Sequence, residues 1–109
     1  MVSDHEQEQP VPAAVAFAAH AEVVQALVRK KDEAYGGAWQ AQGWMGNLAR
    51  IQSKTERLKN MLWREKPWLG TGGEEDAEEQ ESVLDTLHDL MALAAFMASN
   101  IEEGNRWGQ

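Results

Sequence analysis

The sequence has no cysteine. Disulfides, thiolate catalysis and cysteine-ligated metal centres are therefore excluded. Absence of cysteine is compatible with a cytosolic setting. Basic residues are few: 10 Lys and Arg stand against 18 Asp and Glu, for a net charge of -8. A general nucleic-acid binder needs a basic face, so this balance argues against one. It leaves room for a local basic pocket that holds one small anion. No apolar run is long enough to cross a bilayer. The best candidate, Leu90–Ala98, falls well short of the ~20 residues a spanning helix takes. No stretch alternates with a period of two, so no strands are expected. There is no internal repeat. The glycines of Gly70–Gly73, GTGG, lack the following lysine and helix of a phosphate-binding loop. Nucleophile-elbow and metalloprotease histidine spacings are also missing.

What is present reads as helix. At 109 residues the chain is one domain. Residues 1–11, acidic and polar, form an N-terminal arm with no signal-peptide pattern. A cytoplasmic location is the expectation. From Ala13 the chain is rich in Ala, Val and Leu, and the doublet Gly36-Gly37 closes it, so a first helix spans about 13–35. Its apolar stripe is Phe17, Ala21, Val24, and Leu27 or Val28, running on to Lys31 and Tyr35. Residues 38–46 form a connector punctuated by Gly43 and Gly46, with Trp39, Trp44 and Met45 available to plug the core. Asn47 is a plausible N-cap for a second helix over 47–64. There Leu48, Ile51, Thr55, Leu58 and Leu62 make one stripe, with Asn47, Arg50, Lys54, Arg57 and Met61 beside it. Pro67 ends this segment. An acidic, mobile loop is expected over about 66–80, then a third helix over 81–102. Gly104 opens a tail over 104–109.

The third helix combines two features. Glu81, Asp85 and Asp89 are spaced four apart, which stacks three carboxylates on one side of a helix. The block Leu90–Ala98 that follows is apolar nearly all round, as in a core or a helix–helix interface. Carboxylates at this spacing can share a hard cation such as Mg²⁺. They can equally be an acidic first turn that suits the helix dipole. His88 reads as a neighbour of such a site and not as a ligand. On the second helix, Arg50, Lys54 and Arg57 either pair with those acids or hold phosphates, Arg by bidentate contacts and Lys as a point charge. Lys31 and Tyr35, one turn apart, either snorkel at an apolar edge or close a pocket. His20, on the same face, reads as a hydrogen-bonded core or boundary histidine.

Three pieces then occur in order: Lys31, Tyr35-Gly36 and Trp39; Gly43, Gly46, Arg50, Lys54 and Arg57-Leu58; Glu81-Ser82, Asp85-Thr86-Leu87 and Asp89-Leu90. Together, over about residues 24–98, they resemble the phage-type nucleotide modification associated domain family. More distantly they resemble the all-α nucleoside triphosphate pyrophosphohydrolases, the MazG and dimeric dUTPase group. The resemblance implies an all-α bundle completed by oligomerisation, as a homodimer or higher, and a small-molecule nucleotide as ligand. It implies hydrolysis of a (deoxy)nucleoside triphosphate to monophosphate and pyrophosphate, with Mg²⁺ held by Asp85 and Asp89, and by Glu81 beside them. Lys31, Arg50, Lys54 and Arg57 would bind phosphates, and Tyr35 and Trp39 or Trp44 would line the pocket or stack on the base. Two departures stand out. The group carries acids on the second helix where this chain has Lys54 and Arg57, and Asp or Asn where it has Ala34. Cations in place of carboxylates favour direct phosphate binding over metal-driven hydrolysis. The alternative from another class is a non-catalytic helical interaction or accessory protein, in which the acidic and basic stripes form structural salt bridges.

Overall fold

The computed structural model describes residues 10–63 and 74–108, and within the helices it leaves out the side chains of Tyr35, Trp39, Gln40, Trp63 and residues 74–77. It consists of three helices, α1 (Ala13–Tyr35), α2 (Ala38–Trp63) and α3 (Glu74–Glu102). The architecture is all-α, and no strand occurs among the described residues. The first helix has the expected bounds. Pro12 precedes it, and its carbonyl accepts from the N–H groups of Val15 and Ala16. Gly36, at φ 59°, closes it with its N–H on the Asp32 carbonyl, a backbone turn that glycine makes without a Cβ penalty.

The other two helices start earlier than the sequence pattern suggests. The segment expected to be a connector, 38–46, belongs to α2, and Asn47 lies inside the helix and is buried. The residues Glu74–Gln80, expected as a loop, are the first turns of α3. Glu, Gln and Ala are good helix formers, and acids at a helix N-terminus meet its positive dipole end. The remainder of that expected loop, 66–73, and nearly all of the 1–11 arm lie outside the described residues.

The third helix is the common partner. It packs along α2 most extensively and along α1 at a second seam. Among the described residues the buried apolar side chains are Val24, Val83, Ala92 and Leu93. In the apolar block of α3, Leu90, Met91, Phe96 and Met97 are half-buried, whereas Ala94, Ala95 and Ala98 face solvent. The block is thus partly covered by α1 and α2. The stripe of α1 is buried at Val24 and half-buried at Ala21, Leu27 and Val28. Phe17 remains 67% exposed.

The C-terminal tail is fastened to the middle of α2. Gly43 breaks the helical path there, at φ 61° and ψ 177°, a conformation essentially reserved for glycine. The break leaves the next N–H groups without helical acceptors. The carbonyls of Asn105 and Arg106 supply them, at 3.0 Å from Trp44 N and 3.1 Å from Met45 N. The Arg106 guanidinium lies over the Trp44 ring at 5.3 Å and the Trp107 ring at 5.5 Å. Asn105 is buried, its N–H donates to the Asn100 carbonyl, and its Oδ1 accepts from the Gly108 N–H. A Cβ on Gly43 would sit 2.5 Å from the Arg106 carbonyl oxygen, so this glycine is also needed for the close approach.

Candidate functional site

Below the Gly43 break, α2 turns Asn47, Arg50 and Lys54 towards α3 and the end of α1. The spacing 47, 50, 54 is the i, i+3, i+7 pattern that keeps side chains on one helix face. Asn47 is fixed first. It is completely buried, and its amide shares a hydrogen bond of 2.6 Å with that of Asn100, also completely buried. The Asn100 amide also lies 3.1 Å from the Phe96 carbonyl and 3.2 Å from that of Gly43. This polar knot registers α2 against α3 and ties both to the Gly43 break. Buried amides that find partners specify one packing arrangement, because any other would strand them.

The result is a cavity of about 470 Å³ between all three helices. Its apolar lining is Leu27, Val28, Ala92, Leu93 and Phe96. Its charged lining is Lys31 and Asp32 from α1, Arg50 and Lys54 from α2, and Asp89 from α3. An apolar cleft with a few convergent polar groups is the usual form of a small-molecule site, and the volume falls within the range of such sites.

Asp89 is the electrostatic centre. Its Oδ2 accepts from Lys54 Nζ at 2.9 Å, and its Oδ1 accepts from Lys31 Nζ at 3.4 Å. The Asp89 and Lys54 side chains are 23% and 29% exposed, and that of Lys31 is 56% exposed. The Lys54 contact is therefore the stronger one, and the Lys31 contact is largely screened by water. Partial burial works against the charged form of Asp89. The Lys54 hydrogen bond and the charges of Lys31 and Lys54 outweigh it, and hold the carboxyl below its ordinary value.

The expected site residues divide accordingly. Lys31, Arg50, Lys54 and Asp89 come together around the cavity. Glu81, Asp85 and Arg57 are exposed and lie outside its lining. Trp44 also lies outside it and packs under Arg106 of the tail. The side chains of Tyr35 and Trp39 lie outside the described residues. Asp32, Asn47 and Phe96 line the cavity without having been singled out as site residues. Only Asn47 carried a sequence signal, as a member of the Arg50–Lys54 stripe.

Among the described side chains, the carboxylates of α3 are not gathered for a resident Mg²⁺. Asp89 is engaged by two ammonium groups, and a divalent cation on it would meet their like charge at contact distance. Among the described residues no group of three or more His, Asp or Glu side chains could hold a metal ion. The i, i+4, i+8 stacking of Glu81, Asp85 and Asp89 drifts by about 80° around a helix over two steps. Only the last member reaches the cavity.

Comparisons with family models, curated proteins and solved structures found no match for this chain. Among the described residues no helix is long and apolar enough to cross a membrane.

Proposed function

We propose that the protein binds a small phosphate-bearing molecule, a nucleotide by the sequence resemblance, in the cavity between its three helices. The observation that carries this reading is one cavity lined both by the cations Lys31, Arg50 and Lys54 and by the apolar side chains Leu27, Leu93 and Phe96. Phosphate oxygens suit the cations, Arg50 as a planar fork and Lys54 as a point charge. A base or other flat apolar body suits Phe96 and the leucines. These residues support binding more directly than pyrophosphate release, because among the described residues the acids of α3 are not gathered for metal-assisted attack on a triphosphate. Thermal shift and tryptophan fluorescence against a nucleotide panel, with and without Mg²⁺, test binding; a pyrophosphate-release assay tests turnover. The absence of any shift with every nucleotide would overturn the reading.

One observation favours a second reading. Asp89 is already paired with Lys54 and Lys31, as in a helical interaction protein whose charges are structural. In that case Lys54→Ala lowers stability and no nucleotide alters the melting temperature of the wild type. Self-association belongs to either reading. It is supported by the exposure of Val15, Phe17, Val23 and Leu87, and light scattering during gel filtration measures it.

A further inference from the structure

The charges lining the cavity do not simply sum to a basic pocket. Lys31, Arg50 and Lys54 contribute three positive charges, and Asp32 and Asp89 remove two of them. Asp89 acts at the centre, since its two oxygens take hydrogen bonds from Lys54 and Lys31 that a phosphate would otherwise receive. It also has little freedom to leave. It stands mid-way along α3, three and four residues before the buried Ala92 and Leu93, and so cannot swing aside as a loop residue would.

We propose that Asp89 is a built-in counter-anion that sets the charge of the ligand: the cavity takes a molecule with a single phosphate group on an apolar or aromatic body, and disfavours a triphosphate. This rests on the phosphate-binding reading above. A phosphate monoester brings about 1.5 to 2 negative charges, close to what the lining can balance. A triphosphate brings about twice that charge into a partly enclosed space where Asp89 is fixed. Repulsion from a fixed carboxylate grows in proportion to ligand charge. Removing that carboxylate therefore strengthens triphosphate binding by roughly the square of the factor by which it strengthens monophosphate binding.

The test is titration calorimetry of the full chain at low ionic strength with inorganic phosphate, a nucleoside monophosphate and the matching triphosphate, without added metal. The wild type is expected to bind the nucleoside monophosphate at least about tenfold tighter than the triphosphate. Asp89→Asn is expected to bind both more tightly and to close that gap. Glu78→Gln removes the same charge from an exposed position of α3 outside the cavity lining, and is expected to leave the ratio unchanged. Tighter binding of triphosphate by the wild type overturns the proposal. So does an unchanged ratio in Asp89→Asn, or an equal change in Glu78→Gln. If Asp89→Asn fails to fold, the wild-type preference alone decides. Failure of all three ligands to bind overturns the binding reading, and the proposal with it. Binding without the charge preference overturns the proposal alone.

Discussion

The seam between α1 and α3 has two ends of opposite character. At the N-terminal end of α1, Phe17 and Ala16 face Leu84, Leu87 and Met91 across an open apolar groove of about 600 Å³. The polar tie there is a single imidazole pair, His20 Nδ1 and His88 Nε2 at 3.0 Å, one ring nitrogen donating to the other. At the C-terminal end of α1 the same two helices, joined by α2, enclose the cavity with Lys31, Lys54 and Asp89. The neighbours His88 and Asp89 thus serve different ends, as residues about 100° apart on a helix can. The groove has more apolar surface, but the cavity has the convergent charges. Apolar exposure marks a surface that another surface can cover, whereas convergent polar groups beside an apolar wall mark a place for a small molecule.

Three changes separate the two ends. The largest effect is expected from Gly43→Ala, far from the groove. The added Cβ meets the Arg106 carbonyl and forces a side chain into a glycine-only conformation. A loss of about 2–4 kcal/mol is expected from strain and steric overlap. Urea denaturation measures it, and the Asn47–Asn100 knot that positions Arg50 and Lys54 should loosen with it. A smaller effect follows from pH. The Asp89 carboxyl is depressed in the fold, so its pairing contributes stability above its unfolded value of about 3.9. That contribution is lost as pH falls through the lower folded value. Wild type should therefore lose more stability than Asp89→Asn as pH falls from 5 to the acid limit, read from denaturation series of both. The smallest effect on the cavity is expected from Phe17→Glu. A charge on this exposed groove residue should weaken self-association in light scattering and leave anion affinity within about twofold, since surface changes away from a site rarely reach 0.5 kcal/mol. A large fall in affinity would mean that the two ends are one site.

How much of this was legible in the sequence depended on distance along the chain. The bounds of α1 followed from local signals, the Ala-rich run and the Gly36 stop. The pairing of Lys54 with Asp89 was one of two alternatives that the helical stripes left open. The start of α2 was hidden because Gly43 reads as a connector residue. It does leave helical geometry, but the tail carbonyls of Asn105 and Arg106 satisfy the freed N–H groups and the helix resumes. The start of α3 was hidden because a run of acids reads equally as a solvated linker or a helix N-terminus. The Asn47–Asn100 contact joins residues 53 positions apart, and no local pattern announces it. Asp89 lines the cavity, and Asp85, one turn earlier, is exposed outside its lining. Spacing by four keeps residues on one side of a helix while the stripe winds around it, and the cavity lies only at its end.

The most direct measurement of the central claim is calorimetric titration of a nucleoside monophosphate into wild type and Lys54→Ala, with unfolding curves recorded on both. Wild type should bind, and Lys54→Ala should lose at least about tenfold in affinity, the scale of one charge-assisted phosphate contact, while it remains folded. Equal affinity in the two proteins, or no binding by the wild type, would contradict the assignment of this cavity to a phosphate-bearing ligand.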